Sequence, residues 1–332
     1  MSISIIKPGL LDTMQDLGRY GYGSLGINCG GAMDRYAAQV ANMLVGNHDH
    51  EAVIEIHFPG PQILFEQNAL ISITGADFAP SLNDEPLPLW QPILIRKNTI
   101  LHFPKLQWGA RCYMAIHGGF CVEEWLHSYS TNLKAGAGGY QGRKLEKGDE
   151  LVCKESTIYF PALMKQGKDV HRLNWRADVS ATYQLPNEIH FIEGNELSAL
   201  TELSEDEFLQ NNFILHPFSD RMGYRLKGPK LRFEDKTELV STGVSFGTIQ
   251  LLPDGELIIL MADHQTTGGY PRLGHVITTH LPKLAQLRPS DCIQFKKTSI
   301  DKAEALFFAQ QKELAILQTA CFDHLNALVC KQ

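Results

Sequence analysis

Short apolar runs separated by glycine and proline dominate the chain. The runs 52–58, 69–74, 93–96, 111–116 and 257–261 are rich in Ile, Val, Leu and aromatic residues and read as strands. Two segments carry the helical period instead. Residues 34–45 place Tyr36, Val40 and Leu44 on one face, and Gly46-Asn47 supplies the stop. From Asp301 onward Leu306, Phe307, Leu314 and Leu317 recur at helical spacing, with Thr298 and Asp301 spaced as a capping box. A shorter helix is predicted to start at Ser204, with Glu207 three residues on. Residues 165–185 lose the strand pattern and carry several charges, which marks them as a linker. The pattern predicts a mainly β chain with a few helices.

The same pattern repeats within the chain. Gly60-Pro61-Gln62-Ile63-Leu64-Phe65-Glu66 aligns with Gly228-Pro229-Lys230-Leu231-Arg232-Phe233-Glu234. Continued without a gap, Thr74-Gly75 falls on Thr242-Gly243 and Phe78 on Phe246. Met114-Ala115-Ile116-His117-Gly118-Gly119 resembles Met261-Ala262-Asp263-His264 with Gly268-Gly269 after a short insertion, and Leu145–Asp149 answers Leu287–Asp291. Several matches in one order argue for a duplicated unit. The expected division is an N-terminal β unit over 1–165 containing helix 34–45, a C-terminal β unit over 186–298, and a C-terminal helix over 299–332. Two related halves would be barrel-like or curved sheets, and a cleft between them is the expected place for a small molecule.

Composition narrows the class. The chain has 332 residues, 44% hydrophobic and 20% charged, which suits a packed globular protein rather than a disordered one. A formal charge of -7, with basic residues scattered no more densely than pairs such as Arg143-Lys144, speaks against a nucleic-acid partner. The apolar run 257–262 is far shorter than the roughly 20 residues a bilayer span needs, so no membrane partner is expected. Seven dispersed cysteines without a C-x-x-C pair suit a reducing compartment, and no signal peptide is visible, which makes the cytoplasm the expected location. No regular His/Cys ligand spacing appears, so no metal is expected.

Four stretches mix polar residues with glycine. The first runs from Gln15-Asp16-Leu17-Gly18-Arg19 through Gly30-Gly31-Ala32-Met33-Asp34-Arg35 into the first helix. Glycine lets backbone N–H groups approach a ligand, arginine offers a planar fork for carboxylate or phosphate, and Asp34 is equally suited to a simple helix cap. The second, Gly136-Ala137-Gly138-Gly139-Tyr140-Gln141-Gly142-Arg143, could cradle a phosphate but lacks the order of a P-loop, and a flexible loop explains it as well. The third, Ser219-Asp220-Arg221-Met222-Gly223-Tyr224-Arg225, reads as an ion-paired turn, structural or substrate-binding. The fourth is Asp263-His264-Gln265-Thr266-Thr267-Gly268-Gly269-Tyr270, emerging from the apolar run that precedes it. There Asp263 and His264 could move protons, and Gln265 and the threonines could donate hydrogen bonds.

Taken together these segments resemble the carboxyltransferase-like family that holds the C subunit of 5-oxoprolinase, also called the second subunit of allophanate hydrolase. The matching residues are 15–21, 31–35, 74–77, 219–225, 248–250 and 262–271, within a stretch from about Pro8 to Phe295. One departure is Tyr129, where relatives usually carry Arg. The resemblance implies cyclophilin-like β-barrel units and work with partner subunits. It implies opening of the 5-oxoproline lactam to glutamate together with subunits A and B, coupled to ATP, which a partner subunit binds or shares with this chain. Asp263, His264, Gln265 and Asp220 are then the candidate catalytic residues. Asp16, Arg19, Asp34, Arg35, Arg221, Arg225, Thr266, Thr267 and Tyr270 are the candidate substrate-binding residues. Two alternatives remain open: a carboxyltransferase component using carboxybiotin from another chain, and a non-catalytic regulatory binding protein. Met164-Lys165 approaches a biotin-attachment lysine, but Leu163 and Gln166 do not fit, so this chain carries no biotin of its own.

Overall fold

The structure, a computed structural model, describes residues 2–155, 168–183, 188–234 and 239–329. Its residues cluster into two compact units. The first comprises Met1–Gly18, Asp34–Asp178 and Lys312–Gln332, and the second Arg19–Met33 and Val179–Gln311. The linear division at 165, 186 and 299 differs in two places: residues 19–33 belong to the second unit, and residues from 312 onward to the first. The boundary residues 165 and 186, and Met164-Lys165, lie outside the described residues. Within the expected linker, Val170–Arg172 is a strand pairing with Pro92–Ile95, and Ser180–Tyr183 is a helical turn.

The first unit holds two six-stranded antiparallel sheets. One runs in the order Glu150–Val152, Ser2–Lys7, Gln62–Phe65, Thr99–His102, Ser81–Leu82, Glu85–Pro86. The other runs Val170–Arg172, Pro92–Ile95, Ala69–Asp77, Trp108–Ile116, Val53–His57, Thr13–Gln15. Alternation along a strand assigns the faces. Ile71 and Ile73 join Ile54, Ile56, Ile63 and Phe65 in the core. Ser72 and Thr74 point the other way and are still buried, because helix Arg35–Leu44 covers that face. Their hydroxyls donate to the helix carbonyls of Ala41 (2.6 Å) and Ala37 (2.8 Å). Asp34 starts this helix as its cap, accepting from the Ala37 N–H at 2.9 Å.

The second unit is a closed seven-stranded barrel, in the order Glu188–Glu193, Arg272–Val276, Thr248–Leu251, Leu257–Leu260, Gly223–Lys227, Asn212–Leu215, Cys292–Lys297. Parallel pairing of the first and last of these closes it. The interior is aromatic at one end, where Phe208 and Phe295 have ring centroids 4.8 Å apart among Phe191 and Phe213. Phe208 comes from helix Glu202–Gln210, which is capped by Thr201 rather than Ser204. Ser204 instead accepts from the Arg232 N–H at 2.9 Å. The chain is thus mainly β with a few helices, as the apolar periodicity predicts.

Three strands recur in both units. Val53–His57, Ala69–Asp77 and Trp108–Ile116 have the spatial order first, third, second, and so do Gly223–Lys227, Thr248–Leu251 and Leu257–Leu260. This supports the matches at Gly60-Pro61/Gly228-Pro229 and Met114/Met261. The ungapped match of Thr74-Gly75 to Thr242-Gly243 does not carry over, because Thr242–Gly243 pairs with Thr267–Gly268 in a separate two-stranded sheet. The last helix is Ile300–Val329, and the Ser299 hydroxyl, not Thr298, accepts from the Lys302 N–H. Among the described residues no helix is long and apolar enough to cross a membrane.

Candidate functional site

Strand Leu257–Leu260 sends Leu257 and Ile259 into the barrel core, and Met261 and Ala262 continue the chain fully buried. Asp263 is the first polar side chain beyond them, and the barrel fixes it twice. Its N–H donates to the Arg221 carbonyl at 2.8 Å. Its carboxylate takes a two-point fork from the Arg221 guanidinium, Nε to Oδ2 at 2.7 Å and Nη2 to Oδ1 at 3.0 Å. Arg221 is buried, and its Nη2 also donates to the Gly31 carbonyl at 2.7 Å. The planar fork orients a carboxylate that a lysine could only attract.

A second arginine lies near the same carboxylate. Arg19 is 2% exposed. A Cβ placed on Gly30, whose φ is +64°, would lie 3.0 Å from Arg19 Nη1 and 3.6 Å from Asp263 Oδ1. Glycine at 30 therefore both adopts the left-handed turn and leaves room for the two side chains beside it. Arg221 and Asp263 thus pair in the second unit, with Arg19 near them.

The loop after Asp263 meets the outer face of two barrel strands. His264 is buried, and its Nδ1 lies 2.6 Å from the Gln265 carbonyl oxygen, which accepts only if Nδ1 carries the proton. Nε2 is then its basic nitrogen. His275 sits near it: burial, then the charge of His264, holds His275 below the ordinary histidine range. His275 Nδ1 is 3.4 Å from the Thr248 hydroxyl and 3.5 Å from that of Ser245. On strand Thr248–Leu251, Ile249 and Leu251 face the core, so Thr248 and Gln250 face outward, yet both are buried. Gln250 Nε2 donates to the Tyr270 carbonyl at 3.3 Å. A Cβ on Gly268 would be 2.9 Å from Gln250 Nε2 and 3.5 Å from Gln265 Nε2, so the two amides flank that glycine. His275, Thr248, Ser245 and Gln250 are not among the candidate site residues read from the sequence. The polar-apolar alternation Thr248-Ile249-Gln250-Leu251 is the signal that marks an outward polar face.

The other candidates have different surroundings. The Asp220 carboxylate accepts from the N–H groups of Met222 (2.8 Å) and Gly223 (3.2 Å), a local turn at the barrel surface. Arg225 is exposed on strand Gly223–Lys227, its N–H donating to the Ser219 hydroxyl. Thr266 accepts the Val244 N–H through its carbonyl, Thr267 is exposed, and Tyr270 is exposed. Asp16, Asp34 and Arg35 belong to the first unit. There Asp16 organises the segment around Tyr129: Oδ1 accepts from Gly18 N–H (2.7 Å), Ser128 Oγ (2.7 Å) and Ser130 Oγ (2.5 Å), and Oδ2 from Tyr129 N–H (2.6 Å). Asp34 is the cap already described, and its N–H donates to the Tyr113 hydroxyl at 2.8 Å. Arg35 is the first residue of that helix.

The glycine-rich loop around Gly136–Arg143 packs largely on itself. Its amides turn inward, Gly142 N–H to the Gly138 carbonyl and Ala137 N–H to that of Asn132. A Cβ on Gly142 would meet the Gly136 backbone at 2.1 Å, so its glycines serve self-packing. Arg143 is engaged by Asp149 at 2.7 and 2.8 Å.

Known proteins resemble the chain in family, sequence and fold. Residues 25–297 match the family described as carboxyltransferase domain, subdomain A and B. The chain is similar to the 5-oxoprolinase C subunit of Haemophilus influenzae, 35% identical over 89% of this chain and 90% of that protein. It is also similar to the 5-oxoprolinase C subunit of Escherichia coli, 34% identical over 91% and 93%. The fold matches the crystal structure of the Kluyveromyces lactis urea amidolyase with a TM-score of 0.84 at 29% identity, over 95% of this chain and 20% of that one. It matches the urea carboxylase of the same yeast with a TM-score of 0.83 at 28% identity, over 95% and 29%. The chain thus spans less than a third of each of these two yeast proteins.

Proposed function

The chain belongs to the carboxyltransferase-domain family, subdomains A and B, and from that premise we propose that it is the C subunit of an ATP-dependent 5-oxoprolinase. The observation that carries this reading is the end-to-end likeness, 34–35% identity over about nine-tenths of both chains, to proteins named for that role. The substrate is 5-oxoproline, the product glutamate, and the partners are subunits A and B. The nucleotide is bound by a partner subunit or shared with it.

Within this chain Arg19 and Arg221 are the substrate-side cations, and the fork from Arg221 holds Asp263 in one orientation. Asp263 and the Nε2 nitrogen of His264 handle protons, Nδ1 of His264 being committed to the Gln265 carbonyl. A lactam is a poor electrophile, and ATP supplies a leaving group by phosphorylating its carbonyl oxygen. Gln265 and the threonine hydroxyls of the loop hold the substrate. The likeness to urea carboxylase favours one second reading, a carboxyltransferase component fed with carboxybiotin by another chain.

The test is glutamate release from 5-oxoproline and ATP by this chain alone, by subunits A and B alone, and by the mixture. Activity confined to the mixture, and lost in folded Asp263→Ala, supports the proposal. No activity in a mixture whose A and B subunits are competent with another C subunit overturns it. Transfer of carboxyl from carboxybiotin to urea then becomes the reaction to assay.

A further inference from the structure

Gln250 is fully buried on the outer face of the barrel strand Thr248–Leu251, and its Oε1 has no hydrogen-bond partner. Its amide orientation is set by chemistry, because Nε2 lies 3.3 Å from the Tyr270 carbonyl oxygen and the reverse orientation would oppose two acceptors. A buried acceptor left without a donor costs about 1–3 kcal/mol, and such a group in a native fold calls for a reason. The reason is visible in what surrounds it. Gly268 packs against the amide with backbone alone, since a Cβ there would stand 2.9 Å from Gln250 Nε2. Gln265 flanks the same glycine, and Tyr270, whose carbonyl holds Nε2, is 45% exposed.

We propose that Gln250 is the specificity-determining residue of this site and reads the cis N–H–C=O edge of its ligand. A primary carboxamide presents one acceptor and one donor side by side, the complement of that edge. The ligand N–H donates to Oε1, and the ligand carbonyl takes the Nε2 hydrogen in place of the Tyr270 carbonyl. The Gly268-Gly269-Tyr270 segment moves aside as it does so. Lactams, cyclic ureas and ureido rings carry this edge, whereas lactones and N-alkylated lactams lack its donor. The inference rests on the placement of the site at the loop 261–270 made above, and it adds the chemical class that the site selects.

The test uses the full chain mixed with its A and B subunits and measures binding by calorimetry and ligand-observed NMR. The probes are 5-oxoproline, its lactone analogue 5-oxotetrahydrofuran-2-carboxylate, 2-imidazolidinone and N,N′-dimethyl-2-imidazolidinone. The expected result is that an N–H-bearing probe binds at least about tenfold more tightly than its counterpart without the N–H, since a site acceptor is otherwise left unpaired. Folded Gln250→Leu is expected to lose that preference, and Gln250→Glu, which keeps an acceptor at the same place, to retain part of it. Binding of 2-imidazolidinone but not 5-oxoproline, with the preference intact, supports Gln250 as the reader while overturning the oxoprolinase assignment. Equal binding of lactam and lactone by the native protein, with oxoprolinase activity present, overturns the inference and leaves that assignment standing. Because this comparison is made on the native chain, a Gln250 variant that fails to fold does not shield the proposal.

Discussion

Arg221 grips Asp263 with two parallel bonds of 2.7 and 3.0 Å, and both side chains are mostly withdrawn from water. Removing one partner of such a pair leaves the other desolvated and uncompensated, at a cost of about 3 kcal/mol. Arg221→Ala is therefore expected to lower the unfolding free energy by about that amount. Arg221→Lys keeps the charge and loses the fork, so Asp263 is free to turn. Its expected signature is a folded protein whose turnover in the reconstituted assembly falls on the order of 100-fold. Unfolding curves and initial rates on the two variants check both statements.

Gly30 gives an independent test of the same cluster. Its φ of +64° and the 3.0 Å between a new Cβ and Arg19 Nη1 mean that Gly30→Ala strains the backbone and displaces the guanidinium together. A loss of about 1–3 kcal/mol is expected, with a fall in activity larger than the loss of stability explains. Gly136→Ala is the control: φ is +62° and nothing lies within 4 Å of its Cβ, so it should show the backbone penalty alone.

How far the sequence reaches is clearest at particular residues. Helix Arg35–Leu44 and the strands around Ile71, Ile73 and Ile259 were legible because their apolar period matches their buried face. The cluster of Arg221 with Asp263 was legible as two polar motifs, but not as a pair, since 42 residues separate them and only barrel pairing of Gly223–Lys227 with Leu257–Leu260 unites them. Asp16, Asp34 and Asp220 look the same as Asp263 in sequence. Yet Asp16 and Asp220 spend their carboxylates on neighbouring N–H and hydroxyl groups, and Asp34 caps a helix. No local pattern separates a carboxylate that holds its own loop from one held by a distant arginine. The two-residue pairing of Thr242–Gly243 with Thr267–Gly268 was equally invisible, being too short for any period to show.

Tyr113 carries a buried polar relay in the first unit. Its hydroxyl accepts from the Asp34 N–H and donates to Glu55 Oε2, both at 2.8 Å, and all three residues are fully buried. Burial, with the charges of Glu55 and Asp34, raises the phenol well above its ordinary range, so the hydroxyl keeps its proton. Tyr113→Phe takes an acceptor from the helix start and a donor from a buried carboxylate. The expected loss is about 2–3 kcal/mol, read as a lower denaturation midpoint with an unchanged denaturant slope.

Asp12 predicts an acid-favoured component of stability. It is 1% exposed, and burial raises its pKa from 3.8 to about 7 against the lowering effect of the Gly9 and His57 N–H groups and Lys144. The folded chain holds this proton up to about pH 7, while the unfolded chain releases it near 3.8. The folded state therefore binds more protons in that window, and the Asp12 contribution falls as pH rises, by about 4 kcal/mol in all, levelling off above it. His280 opposes this slope, because burial, with Lys283 and His190, lowers it from 6.5 to about 3, so its contribution grows with pH over that range. The two are separated by difference. Denaturation from pH 4 to 8 on the native chain and on Asp12→Asn, which cannot ionise, should give a stability gap that shifts in favour of the variant as pH rises. A gap that stays constant across that range would show that Asp12 keeps the same charge in both states.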